Sequence, residues 1–414
     1  MGDAPKFDEK SLRELVRERW GEVAALAPCP SYRDLVRRVD LADGDRVLLK
    51  IAHPDEDLAR LDAQIEALHR AEGAGLPLPR VRPDRHGRAR DLVRDASGRE
   101  CALLALDWIE GDLLADRRER PLAFWRGLGR ELARLGAAWV GLDAPVLERD
   151  QPWDLGRALF VLDHLSLHEE PEACARVERA AVQFAGRVLA RADELPAAVI
   201  HGDANEHNLL VVGEGASMRV AGLVDLGDMA RTRRVFELAV ASAYAIFDAL
   251  DPVAVVAALV AGWTEVAPLE AAEIEALPAA IAMRLAVSVT ASARALRERP
   301  GDAYLAVSRE GAWRELARLE SIAPADFSDA LREAAGRPGL HDERPAAVDL
   351  LERRRRRLGP SLSLSYREPL VIVGARKLAP RRGGGRTSTP STTSVTSATP
   401  ARRWRARSAS RRTA

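Results

Sequence analysis

Two polar clusters in the sequence could carry chemistry. The first is HGDANEHN at 201–208, directly after the apolar run AAVI, and the second is DLGD at 225–228, directly after another apolar run. Polar groups that follow a buried strand lie at its end, and a hairpin around the intervening Gly-Glu-Gly would bring Asp225 back to Asn208. Phosphoryl transfer needs such a set: one carboxylate, here Asp203, orients the attacking hydroxyl, while an amide and a second carboxylate hold Mg²⁺.

Lys50 is the third candidate because lysine is rare in this chain. The sequence has 62 basic residues but only four lysines, and Lys50 is the only lysine between residues 11 and 376. A compact ammonium and a planar guanidinium are not interchangeable, so a lysine kept in an arginine-rich chain indicates a role that arginine does not fill. Contact with nucleotide phosphates is one such role, and a solvated lysine at a strand end is the alternative.

The elements that position these residues follow from the spacing of apolar side chains. Up to residue 110 the pattern predicts a small β-rich lobe, with helices at 10–20 and 58–71 and strands at 35–39, 46–51, 89–93 and 101–108. From 111 to 340 it predicts a mainly helical lobe that contains the hairpin, with helices at 121–139, 157–168, 171–193 and over most of 234–317. The fold class is therefore α+β, and we expect a ligand cleft between the lobes.

The motif HGDANEHNLL followed by LVDLGD resembles the aminoglycoside phosphotransferase and choline kinase superfamily, whose usual form is H-G-D-x-x-x-x-N and then D-[FWL]-G-D. Similarity extends over most of residues 10–335 and is closest to hydroxylysine-kinase-like domains of the type fused to class III aminotransferases. The resemblance implies a protein-kinase-like fold with ATP or GTP between two lobes. It also implies that Asp203 is the catalytic residue and that Asn208 and Asp225 bind Mg²⁺.

The same resemblance implies the nucleotide-binding residues. Lys50 would contact the phosphates, with Glu66 in the following helix as its ion-pair partner and Glu56 and Asp62 as competitors. The segment 28–38 has no glycine-rich phosphate loop, and Ser31 in CPSYRD is the candidate there. An exposed acid on a helix face is the alternative for Glu66.

The activity implied by the resemblance is transfer of the γ-phosphate of ATP or GTP to a hydroxyl of a small amino alcohol such as hydroxylysine. An aminoglycoside or a choline- or homoserine-type acceptor is the alternative. Two other classes stay open: a nucleotide-binding module without catalysis, and a metal-dependent hydrolase with ligands His201, Asp203, His207 and Asp225. In a hydrolase Asn208 would have no role and Lys50 would be unexplained.

His201 and Asp228 are expected to support the site. Both polar clusters also have a purely structural interpretation. An isolated HGD can be a tight turn at Gly202 with Asp203 capping the next helix, and Asp228 can be the N-cap of a helix over 232–243.

The net charge of zero hides two opposite parts. Residues 353–414 contain 17 basic residues and one acidic residue, so residues 1–352 carry a net charge of −16. The segment 341–373 resembles the junction to a class III aminotransferase domain, but that domain and its Schiff-base lysine are missing, so we expect no pyridoxal phosphate. We interpret 374–414 as a disordered basic tail read in a shifted frame. A basic arm that binds nucleic acid is the alternative.

The remaining composition indicates a cytoplasmic enzyme with a small-molecule partner. Three cysteines without C-x-x-C spacing exclude a disulfide scaffold and suit a reducing compartment. The start has no signal-peptide pattern, and the longest apolar run, 253–263, is too short to span a bilayer. Oligomeric state is not indicated by any pattern.

Overall fold

A computed structural model describes residues 3–31, 33–148, 153–298 and 303–337. All of them fall within one compact unit, Met1–Asp342. The predicted junction at 341–373 and the predicted tail at 374–414 lie outside the described residues. The division at residue 110 stays a prediction.

The N-terminal lobe is an antiparallel sheet with two helices. Its strands run in the order β1-β2-β3-β5-β4. They are β1 (Val23–Pro28), β2 (Leu35–Leu41), β3 (Arg46–Ile51), β4 (Asp91–Arg94) and β5 (Glu100–Asp107), with helices α1 (Glu9–Arg19) and α2 (Leu58–Gly73). The sequence analysis predicts no strand at 23–28, because proline usually interrupts a strand. In the structure Pro28 is the last residue of an edge strand, where a missing N–H is tolerated.

Strand alternation decides where Lys50 points. Val47, Leu49 and Ile51 are fully buried and form a core with α1, so they share one face of β3. Lys50 pairs in register with Val36 and Leu104 and lies on the opposite face. A single-residue slip of this strand would bury the ammonium in the apolar core, so the hydrophobic pattern fixes the lysine on its face.

The C-terminal lobe is mainly helical, as predicted. Its longer helices are α3 (Leu122–Ala138), α4 (Pro171–Arg187), α5 (Val235–Ala245), α6 (Pro252–Thr264), α7 (Ala271–Glu298), α8 (Ala303–Glu320) and α9 (Pro324–Ala334). The predicted helix at 157–168 is a 3₁₀ segment, Leu155–Leu167. The single helix predicted at 171–193 ends earlier, and a 3₁₀ segment, Leu189–Glu194, follows α4.

Helix α7 forms the centre of this lobe. Its segment Ala271–Arg297 is long and apolar enough to cross a membrane by length and composition, in contrast to the expectation that no run would reach that length. However, 78% of its apolar window is buried within the protein, as in the core helix of a globular domain.

Helices α3 and α6 cross at two glycines. A Cβ on Gly262 would lie 1.8 Å from the carbonyl oxygen of Arg126, and one on Gly129 would lie 2.0 Å from that of Leu259. Both distances are far inside van der Waals contact, so this approach of two helix backbones requires glycine at both positions.

Candidate active site

Two short sheets bring the polar clusters together. Strand β7 (Ala197–Ile200) pairs with β10 (Ala230–Arg233), and β6 (Asp112–Leu113), β8 (Leu209–Val212) and β9 (Arg219–Leu223) form the second sheet. The HGD cluster leaves the end of β7, and the predicted β8–β9 hairpin is confirmed. Its closing bond runs from the Val224 N–H to the Asn208 carbonyl at 2.9 Å, which places Asp225 next to Asn208 as the sequence predicted.

The turn at Gly202 depends on the glycine. Its φ is +77°, and a Cβ there would lie 2.8 Å from the carbonyl oxygen of Asp228. The chain then continues into β8, so Asp203 caps no helix. Asp228 ends a 3₁₀ turn and is followed by β10, and helix α5 has no side-chain cap at its start. Both helix-capping alternatives are therefore wrong.

His201 supports the loop through both ring nitrogens. Nε2 lies 3.2 Å from the Val224 carbonyl oxygen, and Nδ1 accepts the Asp203 N–H at 3.3 Å. This pattern requires the neutral ring, with its proton on Nε2. Burial lowers the pKa of His201 to about 4, against the raising effect of Asp225. With both nitrogens engaged, His201 has no lone pair for a metal.

Glu237 of α5 anchors the same loop and was missed in the sequence. Its Oε2 accepts the main-chain N–H of His201 at 2.5 Å. The side chain is 3% exposed, and burial raises its pKa to about 7, although the N–H groups of His201 and Gly202 lower it. The available signal was a lone acid inside the apolar run VFELAVA, which is rarely buried without a partner.

Asp203 lies at the centre of the site. Its Oδ2 accepts from the Asn208 amide at 2.7 Å, and its Oδ1 accepts from the Arg284 guanidinium at 3.1 Å. The side chain is 21% exposed. Burial raises the pKa of Asp203 well above its usual range, Arg284 lowers it, and Asp228 and Asp225 raise it further. Arg284, in α7, is a second residue that the sequence analysis did not assign to the site.

Asn208 and Asp225 fit a magnesium ion. Asn208 donates its amide nitrogen to Asp203, which leaves the amide oxygen for a cation. Asp225 is an exposed carboxylate at φ 65°, a conformation that is uncommon outside glycine, asparagine and aspartate, and its Oδ1 accepts the Gly227 N–H at 3.0 Å. Two hard oxygen donors at the mouth of the site suit an ion that keeps its waters and phosphate oxygens.

Residues 3–31, 33–148, 153–298 and 303–337 contain no group of three or more His, Cys, Asp or Glu side chains placed to hold a metal. The hydrolase alternative therefore finds no ligand set in this part of the chain. Its proposed ligand His201 is in addition fully buried and bonded at both nitrogens.

Lys50 forms an ion pair, but not with the predicted residue. Its Nζ lies 2.9 Å from Oδ2 of Asp34, which stands just before β2. Burial lowers the pKa of Lys50, but the charges of Asp34, Asp225 and Glu56 outweigh it and raise the pKa. The effect of Asp225 on this pKa places the carboxylate of one lobe within electrostatic range of the lysine of the other.

The prediction that Glu66 is the ion-pair partner of Lys50 is wrong. Glu66 is half exposed on α2 and pairs with Arg70 one turn later, at 2.8 Å. Asp62 likewise pairs with Arg90 on the surface. Glu56 precedes α2, is largely buried, and acts on Lys50 while it bonds Arg60 at 3.1 Å. The helix turns its acids to solvent, so acids in the loops before β2 and α2 surround the lysine.

Ser31 has a local role in the loop between β1 and β2. Its hydroxyl oxygen accepts the Asp34 N–H at 3.2 Å. Asp34 also accepts the His53 N–H at 2.9 Å, which fixes the carboxylate that meets Lys50. Ser31 thus shapes the loop next to the lysine, and its contact with a nucleotide stays a prediction.

Comparison with known proteins identifies the class. The chain is similar to the hydroxylysine kinase of Danio rerio, with 24% identity over 327 residues that cover 76% of this chain and 92% of that protein. Among solved structures, it is similar to an amicoumacin kinase in complex with AMP-PNP and Ca²⁺ (TM-score 0.58, 11% identity, 78% and 97% coverage). It is also similar to a microcompartment-associated aminopropanol kinase (TM-score 0.57, 17% identity, 80% and 99% coverage).

The N-terminal sheet, the mainly helical remainder and the likeness to solved kinase structures confirm the predicted protein-kinase-like fold class. The model of the APH phosphotransferase enzyme family matches residues 26–274, more than half of the sequence. The chain belongs to this family and is a small-molecule kinase.

Proposed function

We propose that the protein transfers the γ-phosphate of ATP to a hydroxyl group of a small amino alcohol such as hydroxylysine. The observation that carries the proposal is the placement of Asp203, whose carboxylate is bonded by Asn208 and Arg284 at the end of β7 and lies within electrostatic reach of Asp225. The similarity to a hydroxylysine kinase and to an aminopropanol kinase supports the acceptor class. ATP is supported by the nucleotide analogue in the amicoumacin kinase complex.

Asp203 would act on the acceptor hydroxyl. The bonds from Asn208 to Oδ2 and from Arg284 to Oδ1 fix the plane of its carboxylate, and each of these oxygens carries two lone pairs. A hydroxyl that donates to one of them is oriented toward the γ-phosphoryl group, and most of the catalysis of this reaction is such positioning. Because burial makes the carboxylate more basic, it is also better able to take up the hydroxyl proton.

The remaining groups would hold the nucleotide. Mg²⁺, when bound, neutralises charge on the phosphates, and Asn208 and Asp225 are the residues that would hold it. Lys50 would approach the phosphates from the sheet, because its ammonium is oriented by Asp34 and lies within electrostatic range of Asp225. An arginine in this position would be longer and would spread its charge over a planar fork.

A quaternary ammonium acceptor such as choline is less well supported. Such ligands are recognised by the faces of aromatic rings. The two rings beside Asp203, those of Trp153 and Tyr244, already stack on the guanidinium of Arg284, at 4.8 and 5.4 Å from its central carbon to the ring centres. A primary amine, which carboxylates can bind, fits the negative charge of this lobe better than a quaternary ammonium does.

The test is a nucleotide-consumption screen of the full chain with ATP or GTP and Mg²⁺, over hydroxylysine, aminopropanol, choline and aminoglycosides. We expect turnover with an amino alcohol, and loss of at least a thousandfold in Asp203→Asn, because the amide cannot accept the proton. Asp326→Asn, on the exposed face of α9, is the matched control and should keep full activity.

The screen separates the competing functions. Turnover that survives in Asp203→Asn would remove this residue from the mechanism. Tight nucleotide binding without turnover on any acceptor would favour a binding module. Turnover with aminoglycosides alone would keep the mechanism and replace the acceptor. A cytoplasmic location, absence of nucleic-acid binding, and a preference for Mg²⁺ stay predictions.

A further inference from the structure

A charged side chain is buried in the middle of the helical lobe. Arg284 lies on α7, is 1% exposed, and has no charged neighbour on its own helix turn among the described residues. A buried guanidinium is strongly unfavourable unless ionic and polar partners compensate its desolvation. The partners of Arg284 therefore indicate the role of its buried charge.

The guanidinium connects three parts of the site. One terminal nitrogen donates to Oδ1 of Asp203 at 3.1 Å, and the other donates to the carbonyl oxygen of Trp153 at 3.1 Å. The central carbon of the group also lies over the rings of Trp153 and Tyr244. The bond to Oδ1 is an ion pair, so this buried charge is paired with the proposed catalytic residue.

We propose that Arg284 is a positioning residue for phosphoryl transfer, which holds the Asp203 carboxylate in its orientation. The proposal rests on the proposed function. Arg284 fixes Oδ1 from α7 while Asn208 fixes Oδ2 from the loop, so the carboxylate cannot rotate. It also ties the chain at Trp153 to the catalytic loop.

Lysine would replace only part of this function. An ammonium keeps the charge, but it has no planar fork to reach Asp203 and the Trp153 carbonyl together, and no flat face for the two rings. We therefore expect Arg284→Lys to lose about tenfold in kcat, with the KM for ATP unchanged. Arg284→Met should lose at least about a hundredfold in kcat, again with the KM for ATP unchanged, because the bonds to Asp203 and to the Trp153 carbonyl are gone.

The control is Arg332→Met. Arg332 is also buried and paired, with Glu275 and Asp329, but it lies on α9 away from Asp203. It should lower the melting temperature and leave kcat unchanged well below that temperature. A merely structural role for Arg284 would give the same result as this control, so unchanged kcat in folded Arg284→Met, or full kcat in Arg284→Lys, would overturn the proposal.

Crystal structures of the full-length variants distinguish failure of this proposal from failure of the proposed function. The Asp203 carboxylate should leave its orientation in Arg284→Met and keep it in Arg332→Met. The same carboxylate orientation in both variants would refute the positioning role, even if no acceptor were ever found. Absence of turnover in the wild type would instead refute the function.

Discussion

The buried carboxylate of Glu237 should make the stability of the protein fall as pH rises. Burial raises its pKa in the folded state to about 7, from an ordinary value of 4.5. The folded state therefore binds a proton more tightly than the unfolded state. The stabilisation is fully present below pH 4.5 and is lost as pH rises through 7. We expect Glu237→Gln, which cannot titrate, to lack this dependence.

The magnitude follows from the shift. At 1.36 kcal/mol per pKa unit, Glu237 accounts for about 3 kcal/mol over the whole window, of which most falls between pH 5 and pH 9. Because the side chain is only 3% exposed, solvent screening reduces this free energy only slightly. Glutamine offers the His201 N–H a neutral acceptor at every pH, so the offset between glutamine and protonated Glu237 is constant and only the pH-dependent part is predicted.

The assay is urea unfolding of both proteins by tryptophan fluorescence at five pH values from 5 to 9. The free energy of unfolding of Glu237→Gln minus that of the wild type should rise by about 2 to 3 kcal/mol across the series. Asp203 titrates in both proteins, so its contribution cancels in the difference. If this difference in unfolding free energy changes by less than about 1 kcal/mol, the pKa of Glu237 is not raised in the folded protein.

Three other substitutions test separate contacts. Lys50→Arg should lower kcat/KM for ATP by ten- to a hundredfold in steady-state kinetics, because a guanidinium does not fit the place of an ammonium. Asp34→Asn should raise the KM for ATP about tenfold, since Lys50 loses the charge that orients it; a lower KM would mean that Asp34 competes with phosphates. Gly262→Ala should destabilise by more than about 2 kcal/mol in thermal unfolding, because its Cβ would meet the Arg126 carbonyl, whereas Gly127→Ala, with open space around it, should be neutral or stabilising.

The sequence predicted the parts of the site that are local in the chain. Asp203, Asn208 and Asp225 lie within 23 positions of each other, and the apolar runs before them predict the strands that end at the site. Alternation along β3 likewise predicts that Lys50 leaves the core. Such patterns depend on neighbours in sequence, which a single sequence shows directly.

The missed residues lie far along the chain from their partners. Arg284 follows Asp203 by 81 positions and Glu237 follows His201 by 36, so no spacing rule connects them. The error at Glu66 has a different cause. The position of α2 was predicted correctly, but not the face that it presents to Lys50. Glu66 lies on the exposed face of the helix, where it pairs with Arg70 one turn later. Which face a helix presents to a cleft depends on tertiary packing.

The scarcity of lysine makes the nucleotide site chemically addressable. Of the three lysines in the described part of the chain, Lys6 lies near the N-terminus beside Asp3 and Lys10 is on the first turns of α1, whereas Lys50 faces the cleft. An acyl-phosphate derivative of ATP places its reactive carbonyl where the phosphates bind, so it should acylate Lys50 with almost no background from other amines. Mass spectrometry of one peptide would then report occupancy of the site in a crude lysate, and competition by free nucleotides would rank their affinities without a known acceptor.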